Sequence, residues 1–184
     1  MPTVYLPSRC IDIKPLVALQ VCIIMCLNLV RAVYGDSDHA DAIVKLMDCY
    51  ARDIAGGGEP LCENVKFNLA SSLEKFPGAF SFLAEMDGEF VGLINCFTGF
   101  STFKCQPIIN IHDVIVLPEA RGKKVCAKLL EKVEQEALTR GCCKLTLEVL
   151  ENNHAAQSAY RKFGFDGYEL ASDMGRALFW QKLL

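Results

Sequence analysis

Ile108-Ile109-Asn110-Ile111-His112-Asp113-Val114-Ile115-Val116-Leu117-Pro118-Glu119-Ala120-Arg121-Gly122-Lys123-Lys124-Val125-Cys126 is the stretch that decides how this chain folds. Its first half is rich in β-branched residues, reads as a strand, and is stopped at Pro118. Arg121-Gly122-Lys123-Lys124 then makes a turn crowded with positive charge, and an apolar stripe at helical spacing begins at Val125. A strand that enters a helix through such a turn aims several backbone N–H groups and a helix N-terminus at one spot. That geometry suits a phosphate or pyrophosphate. Residues 144–150 follow as a second strand, and residues 153–163 as a short helix closed by Gly164. Strand, helix, strand in this order forms a parallel crossover.

Working outward, the helix after the turn spans residues 122–140, with Val125, Leu129, Leu130, Val133, Ala137 and Leu138 expected on one face and Gly141 as its stop. Upstream, residues 29–33 read as the first strand. Asp36-Ser37-Asp38 supplies caps for a helix over residues 39–53, carried by Ala42, Ile43, Leu46, Met47 and Tyr50. The Gly56-Gly57-Gly58-Glu59-Pro60 run ends it in a loop. Residues 63–76 form a weaker second helix, stopped by Pro77-Gly78. Two β-rich runs, 79–85 and 89–97, flank Asp87-Gly88 and predict a hairpin. Residues 97–106 read either as a bulged continuation of the strand or as a loop. Residues 165–170 and 177–183 are expected to finish the chain as a strand pair. The order predicts a single-domain α/β protein with a mixed, mostly antiparallel sheet flanked by helices.

Composition bounds what this domain does. A chain of 184 residues with 52% apolar, 9% aromatic and 22% charged residues is a globular protein with room for one real core. The formal charge of −3 argues against a nucleic-acid partner, although Arg121, Lys123, Lys124, Lys128 and Lys132 form a local basic cluster. That cluster reads equally as a solvated helix face or a small-anion site. The ten cysteines contain no C-x-x-C pair and no metal-like spacing with His39, His112 or His154, so no metal site is expected. They read as reduced thiols of a cytoplasmic protein, several of them buried as small hydrophobes. The adjacent Cys142 and Cys143 would face opposite sides of a strand.

Residues 16–30 are nearly all apolar, yet short for a membrane span and near the upper length of a signal-peptide core. Cleavage after Gly35 would remove the first strand. The reading preferred here takes residues 1–27 as an apolar extension, with Met25 as a working start, and residues 28–184 as the domain. A membrane anchor or signal is the competing reading.

Two patterns resemble the GNAT (GCN5-related) N-acetyltransferases over the chain from about residue 29 onward. The first is the family's Arg/Gln-x-x-Gly-x-Gly/Ala turn after a V-x-P strand end, here Arg121 to Cys126, with Lys124 at the fourth-position glycine and Cys126 at the Gly/Ala. The second is Asn-x-x-Ala-x-x-x-Tyr-x-x-x-Gly-Phe, matched without a gap by Asn153, Ala156, Tyr160, Gly164 and Phe165. The resemblance implies a splayed parallel strand pair at the centre of the sheet, and acetyl-CoA as co-substrate. Its pyrophosphate would lie on the N–H groups of Arg121, Gly122, Lys123, Lys124, Val125 and Cys126. Its arm would pair like an added strand with Val114, Ile115 and Val116, as extended amides do at an open strand edge. Asn153, Ala156 and Tyr160 would complete the cofactor side. Glycine at position 124 would leave backbone open to a ligand, so the lysine there fits only with its side chain turned off the ligand face.

The chemistry implied is transfer of an acetyl group from acetyl-CoA to a primary amine of a small molecule or peptide by direct attack. Tyr160 matches the family's usual acid, which returns a proton to the departing sulfur; its alternative is a tyrosine that only packs a helix on the sheet. Alternation would put Asn110, His112, Val114 and Val116 on one face of the strand and Ile111, Asp113 and Ile115 on the other. His112 is thereby a candidate base or a hydrogen-bonded structural residue, Glu148 a reserve base, and Asp113 a group that either orients a neighbour or caps the strand. A backbone N–H near Val114 is the expected carbonyl polariser. The acceptor pocket is expected between residues 50–61 and 97–103, where Glu59, Glu63 and Glu85 either draw a cationic amine or are solvated surface carboxylates. A competing reading keeps the fold but makes the protein a catalytically weak acyl-CoA-binding regulatory partner. Family members often pair through C-terminal elements, so a homodimer is an expectation the resemblance carries.

Overall fold

A computed structural model describes residues 26–168 and 177–184. Among the described residues, five strands form one sheet in sequential order: β1 (Leu27–Arg31), β2 (Ala79–Met86), β3 (Glu89–Ser101), β4 (Gln106–Val116) and β5 (Leu145–Leu147). The first four are antiparallel neighbours, and β5 runs parallel to β4. Helices α1 (Ser37–Arg52) and α2 (Glu63–Lys75) cover one face, and α3 (Val125–Thr139) and α4 (His154–Phe163) the other. The expected extension over residues 1–27 lies almost wholly outside the described residues. Among those described, no helix is long and apolar enough to cross a membrane.

Helices α1 and α4 begin at side-chain caps, and α3 begins at a turn. The Asp36 carboxylate accepts the His39 N–H at 3.0 Å to start α1, and the Asn153 side chain accepts from the Ala156 N–H at 3.1 Å to start α4. Gly164 ends α4 in the left-handed region, at φ 105°. On α3 the buried stripe is Val125, Leu129, Leu130, Val133 and Ala137, packed on Phe80, Phe82, Ile94, Ile109 and Ile111. Leu138, expected on that stripe, is 73% exposed, because it lies about 100° further round the helix than Ala137. The opposite core joins Ile43 and Leu46 of α1 to Leu83, Leu93 and Ile115.

Gly92 seats the start of α3. A Cβ there would meet Val125 Cγ1 at 2.9 Å and Ala84 Cβ at 3.2 Å, so the missing side chain lets the first turn of α3 approach the sheet.

Residues 97–101 continue β3 as strand rather than forming a loop. β5 is shorter than the expected 144–150. The expected strand pair at the C-terminus is not formed in residues 165–168 and 177–184, while residues 169–176 lie outside the described residues. Phe165 instead packs on Tyr160 and Phe163, and Leu178, Phe179 and Trp180 are exposed. The described cysteines are free thiols.

Candidate active site

The site follows from where β5 stops. Parallel pairing runs from Ile109↔Leu145 to Ile111↔Leu147 and then ends, while β4 continues to Val116. The strands part there, and the parallel pair forms the last two strands of the described sheet. A cleft of about 990 Å³ fills the gap. Val114, Ile115 and Val116 line it from the strand, and Arg121, Gly122, Lys124, Val125 and Cys126 from the turn. Asn153, Ala156 and Tyr160 line it from α4, and Tyr50, Arg52 and Asp53 from the end of α1. Eleven residues singled out for the co-substrate thus meet in one cleft, although they come from separate elements. Lys123 does not line it, and neither does His112.

The turn is shaped by two left-handed residues. Gly122 has φ 78°, and a Cβ built on it would meet nothing within 4 Å, so its backbone is open. Lys124 has φ 65°, the conformation glycine adopts without cost, and it is the N-cap of α3 with no side-chain hydrogen bond there. The α3 N-terminus therefore meets the cleft with its N–H groups uncapped by any side chain. Arg121 Nε donates to the Val116 carbonyl at 3.2 Å, and its Nη2 lies 3.5 Å from Asp53 Oδ2, which joins the turn to the end of α1. Lys162 of α4 and Arg52 of α1 add positive charge that inspection of the turn alone did not reveal. Of the basic cluster seen in the sequence, Lys128 pairs with Glu131 at 2.6 Å, and Lys132 lies over the Phe82 ring.

Tyr160 is largely buried in the cleft wall. Burial pushes its phenol well above the ordinary tyrosine range, with the nearby Cys126 and Tyr50 adding to the effect. It is a proton donor at any physiological pH. Burial also raises the Cys126 thiol, which disfavours its thiolate form. The phenol of Tyr50 is raised by burial and then by the charges of Asp113 and Asp53, which marks how near Asp113 lies to the cleft.

Strict alternation along β4 fails at His112. Asn95 pairs with Asp113 and Cys96 with Ile111, so His112 is the extra residue of a bulge. Val114 and Val116 join the core toward α3 with Ile109 and Ile111, whereas Ile115 packs toward α1. His112 is exposed and meets the Phe97 ring edge-on at 5.5 Å; Phe97 in turn meets Phe76 just beyond α2. Asp113 is half-buried and accepts a hydrogen bond from Asn95 Nδ2 at 3.0 Å. Glu148 is exposed just past β5. Glu85 pairs with Asn28 on the far side of the sheet, away from the cleft. Tyr50 stands on the helix stripe at the start of the expected acceptor pocket, and Asp113 is the strand carboxylate expected to orient a neighbour or cap the strand; their closeness to one another was not legible in the sequence.

The model of the Acetyltransferase (GNAT) family matches residues 45–165, and the chain belongs to that family. An uncharacterized N-acetyltransferase of Archaeoglobus fulgidus is 42% identical over 79 residues, which cover 42% of this chain and 54% of that protein. A thialysine N-epsilon-acetyltransferase of Bos taurus is 36% identical over 81 residues, 44% of each chain. The chain thus spans about half the length of the curated relatives it matches. Among solved structures, a probable acetyltransferase superposes with a TM-score of 0.71 at 21% identity, covering 85% of this chain and 99% of that one. An aminoglycoside N-acetyltransferase in complex with CoA does so at 0.66 and 18% identity, covering 86% and 95%. At these identities the likeness is one of fold.

Proposed function

We propose that this protein transfers an acetyl group from acetyl-CoA to a primary amine of a small molecule or peptide by direct attack. The observation that carries the reading is the meeting, where β5 leaves β4, of an open strand edge, an uncapped left-handed turn and a buried tyrosine. The residues present fit the co-substrate. Gly122 offers open backbone, and Arg121, Lys124 and Lys162 surround it with positive charge, which suits a pyrophosphate. The β4 edge at Val114 to Val116 has main-chain groups facing the cleft for an amide arm. Bound acetyl-CoA supplies the thioester that the amine attacks.

The chain's own groups handle protons and position. Tyr160, kept protonated by burial, holds the proton that the departing thiolate needs. Asp113 draws the acceptor's ammonium toward the cleft past Tyr50, and His112, exposed outside the cleft lining, takes the proton the ammonium sheds before attack by way of solvent. Holding amine and thioester together supplies much of the remaining acceleration.

An assay of thiol release from acetyl-CoA across a panel of small amines and peptide N-termini tests the reading, alongside calorimetric titration with acetyl-CoA. Release that depends on an amine supports it. Tight acetyl-CoA binding with every amine untouched would favour a non-catalytic acyl-CoA-binding role instead.

A further inference from the structure

Asp113 is aimed by a row of polar groups buried in the sheet. Ser81 and Asn95 stand directly opposite one another on β2 and β3, and Asn95 stands opposite Asp113 on β4, so the three lie side by side across the strands. Ser81 is fully buried and Asn95 is 3% exposed; they are the buried polar residues of the described core. The hydrogen bonds have one direction. Ser81 Oγ donates to Asn95 Oδ1 at 2.7 Å, which uses its single proton, so the Tyr34 hydroxyl at 2.8 Å must donate to Ser81 Oγ. Asn95 Nδ2 then donates to Asp113 Oδ2 at 3.0 Å and to Met47 Sδ at 3.4 Å. From Tyr34 through Ser81 and Asn95 the donors run in sequence to the carboxylate, and the bond to Met47 Sδ is the one branch off that row.

Such a row is a poor device for stability alone. Apolar residues in those places would serve the core at least as well, because buried polar groups give up hydration for their hydrogen bonds. Among the described residues Asp113 takes part in none of the salt bridges, so the row ends on a half-buried carboxylate beside the cleft with no cation partnered to it. The bulge at His112 is what brings Asp113 opposite Asn95.

We infer that Ser81 and Asn95, with Tyr34 behind them, are positioning residues that hold the Asp113 carboxylate in one orientation toward the cationic amine of the acceptor. This rests on the acetyl-transfer reading for the identity of the acceptor; the row itself does not.

The test combines a mutant cycle with a spectroscopic readout. Asn95→Leu lowers kcat/KM for the amine about 10- to 100-fold, the size of one charge-assisted hydrogen bond, while acetyl-CoA affinity changes less than about twofold. Ser81→Ala follows with a smaller loss and Tyr34→Phe with the smallest, in order of distance from Asp113. In an Asp113→Asn background, Asn95→Leu costs less than about twofold more, since its effect passes through the carboxylate. Equal losses in both backgrounds, or losses that track Tm and acetyl-CoA affinity, overturn the inference. Independently of turnover, the side-chain amide resonances of Asn95 in a ¹⁵N–¹H spectrum move in Asp113→Ala and in Ser81→Ala. Unmoved resonances reject the row even in a protein that acetylates no amine. A wild type that transfers to nothing, with those resonances shifting as stated, rejects the transfer reading and keeps the row.

Discussion

The two faces of β4 are built by different means. Toward α3, the site consists of backbone: an open strand edge, two left-handed residues and a helix start seated close against Gly92. Toward α1, it consists of side chains: a bulge, a half-buried carboxylate and the row of hydrogen bonds that aims it. A backbone site recognises what all its ligands share, such as a pyrophosphate and an amide arm. A side-chain site recognises what differs between acceptors. On the proposed reading, family membership and acceptor choice are written in different parts of one strand.

Substitutions on the cofactor side should break backbone shape, and those at the reacting centre should break chemistry. Tyr160→Phe, at the centre, is expected to lower kcat by about 100-fold or more with acetyl-CoA affinity nearly unchanged. Because burial raises the Tyr160 phenol, the wild-type rate should show no alkaline decline from this group below about pH 10. A mutant at wild-type speed would return Tyr160 to a packing role. Gly92→Ala, outside the cleft, should destabilise the fold by about 1–3 kcal/mol through the clash with Val125 and Ala84. It should weaken acetyl-CoA binding as well, since Val125 begins α3; thermal melts and calorimetry report the two effects separately.

Gly122→Val forces a β-branched residue to φ 78° at an open position of the turn, a strain of about 1–2 kcal/mol. Its acetyl-CoA Kd should rise about tenfold; an unchanged Kd would place the pyrophosphate elsewhere. The smallest effect belongs to Lys124→Gly. Removing a side chain from φ 65° should raise stability by about 0.5 kcal/mol, which is one or two degrees in Tm, and leave acetyl-CoA affinity within about threefold. A large loss of affinity would show that the lysine ammonium itself grips phosphate.

Local chemistry made much of this legible before any coordinates. The hydrophobic stripe of α3, the helix start at Asn153, the Asp36 cap and the hairpin at Asp87-Gly88 each depend on residues within a turn or two of one another, and each formed within three residues of its expected place. The errors have physical causes. Leu138 shares the apolar spacing but rotates away from the buried stripe. Alternation does not carry through His112, where an extra residue resets the faces. Residues 177–183 have strand-like composition, but a strand also needs a partner ladder, and none is formed among the described residues there.

By itself, the sequence determined the order of elements as far as α4, the basic turn after β4 and the tyrosine of the last helix, because these follow from spacing and local chemistry over short distances. Tertiary structure alone decided that β5 would leave β4 after Leu147, that Gly92 would admit the start of α3, and that Ser81, Asn95 and Asp113 would stand in one row. Those three residues are 14 and 18 positions apart along the chain. Only strand register, set by a one-residue bulge, brings them together.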